Sequence, residues 1–115
     1  MSRGERLLVA LYALLAAGAL YATWSHNLKF LALPGNGGAP GFIRLAYANP
    51  AAASLANDIL FVCLAAFAFM LAEARRLGIR YVWVYIVLSL GIAVSVMLPL
   101  FLIARQLRLA SDRPK

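Results

Sequence analysis

Residues 81–104 read YVWVYIVLSLGIAVSVMLPLFLIA, a run of 24 residues without one charged side chain. A membrane-crossing helix needs about 20 predominantly apolar residues, because bilayer hydrocarbon is about 30 Å thick and a helix rises about 1.5 Å per residue. The run is too long for a barrel strand and lacks strict alternation. Lipid offers backbone amides and carbonyls no partner, so the segment is expected to be one helix. Tyr81, Trp83 and Tyr85 at its start read as an interfacial aromatic belt, and Arg105 and Arg108 close its far end.

Two further apolar runs precede it. Leu7 to Trp24, LLVALYALLAAGALYATW, gives 18 uncharged residues. Arg3 and Arg6 before it and Ala17-Gly18-Ala19 within it would also suit a cleaved signal peptide, but its length favours a retained span over 7–25. Asn49-Pro50 opens the next, with Asn as N-cap and Pro at the first helical position. That span covers 51–73, and Gly78 is placed to end its helix. Loop 26–49 carries Pro34, Gly35, Gly37, Gly38, Pro40 and Gly41, then GFIRLAYA (41–48), which suits a short interfacial helix or a loop packed on the helix ends. Residues 105–115 form a short polar tail.

The chain has 115 residues, 64% of them hydrophobic and 13% charged. Soluble domains hold about 45–50% apolar and about 25% charged residues, and a chain this short would bury only about 60% of its surface in water. The expected fold is therefore a single all-α integral membrane domain over 1–115, three transmembrane helices running up-down-up.

The net charge of +7 comes from bases that flank apolar blocks, which suits anionic headgroups rather than nucleic acid. Up-down-up threading puts Arg3, Arg6, Arg75, Arg76 and Arg80 on one side, and Lys29, Arg44, Arg105, Arg108, Arg113 and Lys115 on the other. The two sides nearly tie. The arginine-rich 75–80 hairpin favours a cytoplasmic N-terminus, and Arg75, Arg76, Arg80, Arg105 and Arg108 are the expected interfacial bases.

Asp58 lies eight residues past Pro50, about 12 Å into the span. A carboxylate at bilayer depth costs roughly 2.5–3.5 kcal/mol, so it is expected to be protonated or paired. Ser54, Asn57 and Asp58 share one helix face. In an antiparallel third helix the matching depth is near Met97, where Pro99 frees the Ser95 carbonyl. His26, Asn57, Asp58 and Ser95 thus form a candidate intramembrane polar cluster, either a binding or proton-relay site or interhelical glue. Glu73 is expected to pair with Arg76 three residues on. Gly91, Ser95 and Pro99 form a candidate small-residue packing seam.

No catalytic motif is present: no Gly-x-Ser-x-Gly, phosphate loop, dinucleotide fingerprint or His-Glu-x-x-His. One cysteine, Cys63, and one histidine give no metal-ligand set, and no cofactor is expected. An enzyme is the least expected class.

The segments Ala48-Asn49-Pro50, Asn57-Asp58-Ile59-Leu60, Glu73-Ala74-Arg75-Arg76-Leu77-Gly78 and Leu98-Pro99-Leu100-Phe101-Leu102 together resemble the bacterial domain of unknown function 2834, a group of short multi-span membrane proteins. The likeness covers roughly 47–105 and, more loosely, the first helix, while the Gly/Pro-rich loop looks longer than the family's usual connection. It implies a bacterial membrane protein, hence the inner membrane, and brings no activity with it. The leading expectation is a non-enzymatic accessory subunit that binds other membrane subunits or itself. The rivals are an oligomeric carrier or proton-linked transporter using Asp58, and a lipid- or pigment-binding protein.

Overall fold

The computed structural model describes residues 1–112; residues 113–115 of the expected tail, with Arg113 and Lys115, lie outside the described residues. Five helices follow in order: α1 Arg3–Leu31, α2 Gly38–Ala46, α3 Pro50–Leu77, α4 Val82–Gly91 and α5 Val94–Ser111. Three of them, α1, α3 and α5, are long and apolar enough to cross a membrane. The molecule is an elongated bundle of 57 × 24 × 24 Å.

Local chemistry explains most boundaries. Ser2 accepts from the Glu5 amide and Glu5 reaches back to the Ser2 amide, a capping box that starts α1. The helix then runs past the expected end at 25, through His26, Asn27 and Lys29, because no breaker occurs before Pro34. Asn36 ends it, its Nδ2 donating to the carbonyls of Leu31 and Leu33 while its Oδ1 accepts from Gly38 and starts α2. A Cβ on the buried Gly41 would overlap the Asn36 carbonyl, so α2 folds tightly back on this turn. The expected 41–48 segment is therefore a helix that begins three residues earlier, its Phe42 ring set edge-on to Phe30 at 5.4 Å. Asn49 caps α3 by accepting from Ala52 at 2.8 Å, and Gly78, at φ 69°, closes it.

The 81–104 run departs from expectation. It is not one helix: α4 stops at Gly91, Ala93 is extended at φ 179°, and α5 begins at Val94. The chain also reverses. Three contacts along α1 and α5 fix their relative direction: Gln106 donates to Glu5 at 2.8 Å, Val96 and Met97 pack on Ala16, and Trp24 donates to the Ile92 carbonyl at 3.0 Å. Rising along α1 means falling along α5. Against α3 the order is the opposite: Met70 meets Phe101, Glu73 meets Arg105 and Leu77 meets Arg108. So α3 and α5 both run back toward the side where α1 begins. The rising leg is α4, ten residues or about 15 Å, which pairs with α5 through Tyr85 and Phe101 at 5.4 Å. The all-α membrane class stands, but the third leg is a re-entrant hairpin rather than a final upward span. Arg105 and Arg108 consequently lie on the N-terminal side, and the expected polar tail is helical as far as Ser111.

The reversal needs a backbone solution, since a helix break in lipid strands polar groups. The Ile92 amide still donates to Leu88 at 2.6 Å, and the Ala93 carbonyl accepts from Val96 and Met97. The Ile92 carbonyl takes the Trp24 indole N–H. Gly91 weakens the helix just before the break, by about 1 kcal/mol relative to alanine.

The core lies low in the bundle. Met70 and Phe101 are fully buried and meet Ala74, with Val82, Tyr85 and Ile86 of α4 closing over them. A second cluster joins Ala16 to Val96 and Met97, so α5 packs between α1 and α3, which scarcely touch each other.

Trp24→Phe keeps an aromatic ring, though a smaller one, and leaves the Ile92 carbonyl unpaired. It is expected to cost about 1–3 kcal/mol, measured by thermal unfolding in detergent, whereas Trp83→Phe, at an exposed position, changes nothing.

Candidate functional site

The four residues of the expected polar cluster do not come together. His26, Asn57, Asp58 and Ser95 are each exposed, and no hydrogen bond or ion pair joins any two of them. Asn57 accepts from the Tyr47 hydroxyl at 2.9 Å, tying α3 to the end of α2. Asp58 has no hydrogen-bonding or ionic partner among the described residues. The cause is the chain reversal. An antiparallel last leg would have put Met97 and the Ser95 carbonyl at the depth of Asp58. The parallel leg meets α3 only in its second half, and Met97 packs on Ala16 instead.

The expected seam moves for the same reason. Ser95 is exposed and a Cβ on Gly91 would meet nothing within 4 Å, so neither mediates a close approach. Pro99 is half-buried inside α5. The close approach is made instead by Val96 and Met97 on α5, with Ala16 and Ala19 of α1 as the small residues.

What the fold does assemble is a collar of charge at the end of the bundle where α1 starts and α3 and α5 finish. Glu73 is its centre. Its carboxylate accepts two hydrogen bonds from Arg76, both 2.8 Å, and one from Arg105 at 2.5 Å. The Arg76 pair was legible from i,i+3 spacing; the Arg105 pair was not, because that residue had been assigned to the opposite side. Arg105 also lies over the Phe69 ring, 5.7 Å from its centroid, a cation–π contact at the apolar boundary. Arg108 donates to the Leu77 carbonyl at 2.7 Å, satisfying the C-terminal end of α3, and faces Asp112 at 3.7 Å. Arg75 and Arg80 have no partner among the described residues. Seven arginines thus gather at this end (Arg3, Arg6, Arg75, Arg76, Arg80, Arg105, Arg108) against Glu5, Glu73 and Asp112. The opposite end has Lys29 and Arg44.

Two concavities accompany this architecture. A cleft of about 390 Å³ at the hairpin tip is lined by Trp24, Asn27, Phe30, Phe42, Ile43 and Gly91, among others, with α2 as one wall. A shallower groove of about 430 Å³ lies at the collar, between the α3–α4 turn and the end of α5.

The family described as Protein of unknown function DUF2834 matches residues 11–107, from the first helix to the collar. The chain belongs to this family. No curated protein and no solved structure matches it. The matched region of this DUF2834 chain takes in the Trp24–Ile92 contact, Asp58 and the Glu73–Arg105 pair, and it shows a small membrane protein.

Glu73→Gln would remove the anion that gathers Arg76 and Arg105. With one acid lost, those two guanidiniums repel at the apolar boundary. The variant is expected to be destabilised, read as a lower midpoint of detergent-induced unfolding, and Arg105→Lys is expected to fall below the wild type as well, because only arginine both pairs with Glu73 and stacks on Phe69.

Proposed function

We propose that this chain is a non-enzymatic accessory subunit of a bacterial inner-membrane assembly, docked through the first half of α3. The observation that carries this is Asp58. It sits about 12 Å along α3 from Pro50, on the half that α5 does not cover, without a partner among the described residues. Apolar neighbours surround it, with Leu55 66% and Phe61 69% exposed. Exposed leucine or phenylalanine is at home in lipid; an acid is not, at roughly 2.5–3.5 kcal/mol. A neighbouring helix that offers a donor or a base would remove that cost, and polar contacts of this kind join membrane helices. Neither of the two concavities described above is lined by Asp58, which is exposed on its helix.

The collar supports a cytoplasmic N-terminus. Lys and Arg are enriched in cytoplasmic segments near membrane ends, and the hairpin moves Arg105 and Arg108 to the side of Arg3 and Arg75, turning a near tie into a strong asymmetry. In this arrangement α2 and the Pro34–Gly38 turn are on the outer face.

Two measurements test these readings. In a Cys63→Ser background, an impermeant maleimide added to intact cells is expected to label Pro34→Cys and spare Ser111→Cys. Equal labelling of both would refute the hairpin, and the reverse pattern would refute the orientation. Native mass spectrometry after gentle extraction is expected to find the chain with a second membrane protein at fixed stoichiometry, and Asp58→Leu to release it. A wild-type chain that leaves the membrane alone would sink the accessory-subunit reading.

A further inference from the structure

We propose that the groove at the collar is a specific site for the phosphate of an acidic phospholipid. Ile79, Ala104 and Leu107 form its apolar wall, and Arg80, Arg108 and Ser111 its polar rim. That order matches a lipid lying at the membrane boundary, chains against the wall and headgroup at the rim. Arg80 is exposed, with no partner among the described residues. Arg108 is held in place because its Nε donates to the Leu77 carbonyl, which leaves its Nη groups, one of them beside Gly78, without a hydrogen-bond partner among the described residues. Asp112 stands 3.7 Å from Arg108, about half exposed, and so neutralises part but not all of the rim. The Ser111 hydroxyl gives its one proton to the Arg108 carbonyl at 2.9 Å, so it can accept from a headgroup hydroxyl and leaves the phosphate to the two guanidiniums.

Gly78 forms the corner of the groove. Its φ of 69° is the left-handed conformation that glycine adopts freely, and a Cβ there would meet Arg108 Nη2 at 3.4 Å, in ordinary contact. Charge balance gives a second argument. The collar holds four more arginines than carboxylates, and it lies where the headgroups of a bilayer lie, so anions of the leaflet are the counter-ions at hand. Two guanidiniums on one groove recognise a phosphate by fixed donors rather than as a diffuse charge.

The test uses the full chain in nanodiscs of phosphatidylcholine with or without phosphatidylglycerol. Native mass spectrometry of the wild type is expected to retain one phosphatidylglycerol per chain. Arg80→Gln is expected to weaken retention about tenfold or more, the loss of a charge-assisted hydrogen bond to the phosphate, with an unchanged melting temperature. Arg75→Gln removes the same charge outside the groove and is expected to retain the lipid. Equal loss in Arg75→Gln and Arg80→Gln would mean diffuse attraction and overturn the site. Displacement of the lipid by inorganic phosphate at matched ionic strength would show a site for a free anion and overturn the lipid assignment.

Discussion

A carbonyl inside a bilayer must find a donor within the protein, and here one bond meets that demand for the whole fold. The helix that starts at Val82 stops after ten residues, in a stretch without a charged side chain. The Trp24 indole, 68 residues earlier in the chain, supplies the N–H. Leaving the Ile92 carbonyl unpaired costs about 1–3 kcal/mol, at least as much as the roughly 1 kcal/mol by which Gly91 weakens the helix before the break. The hairpin can therefore exist only where α1 brings a donor to its tip. Everything else in the bundle follows from the reversal: α5 lies between α1 and α3, Phe101 reaches Met70, and the arginines that end α5 reach Glu73.

Burial is distributed unevenly as a consequence. The two side chains that lose all exposure, Met70 and Phe101, sit where α3, α4 and α5 converge. In lipid the hydrophobic effect does not hold helices together, so close packing and polar contacts must. Both are concentrated in the lower half, in the aromatic contacts of Phe101 with Phe69 and Tyr85 and in the Glu73 network just below. The upper half of α3 has only α2 beside it. The same asymmetry that makes one end of the molecule rigid leaves the other with an acid and no neighbour.

Much of this was readable from the residues. Three membrane-length helices follow from uncharged runs, the start of α3 from Asn49-Pro50, its end from Gly78, and the Glu73–Arg76 pair from spacing. The break between Gly91 and Val94 was not. Local sequence argues for continuity there: no charge, no proline before Pro99, and one glycine among strong apolar residues. What decides it is a tertiary hydrogen bond, which no periodicity encodes. From that single unread event came the differences at the candidate site and in the charge distribution. The depth match between Asp58 and Met97 assumed an antiparallel partner, the Gly91–Ser95 seam assumed an unbroken helix, and the even split of positive charge assumed Arg105 and Arg108 on the far side. The Arg105–Glu73 pair had a signal of a kind, an interfacial acid with more bases than it could serve locally, but no sequence rule selects a partner 32 residues away.

The hairpin also bears on how the chain enters the membrane. Residues 81–104 emerge from the ribosome as one long apolar stretch, and an insertion machine that weighs hydrophobicity alone would thread it straight across and carry Arg105 and Arg108 to the face opposite Arg3 and Arg6. The finished molecule has them on the same face. α4 at ten residues is too short to be held as a span in its own right, so it stays in lipid only as one leg of a folded pair whose turn is held by Trp24 of α1. The first helix is thus the template against which the last one is seated.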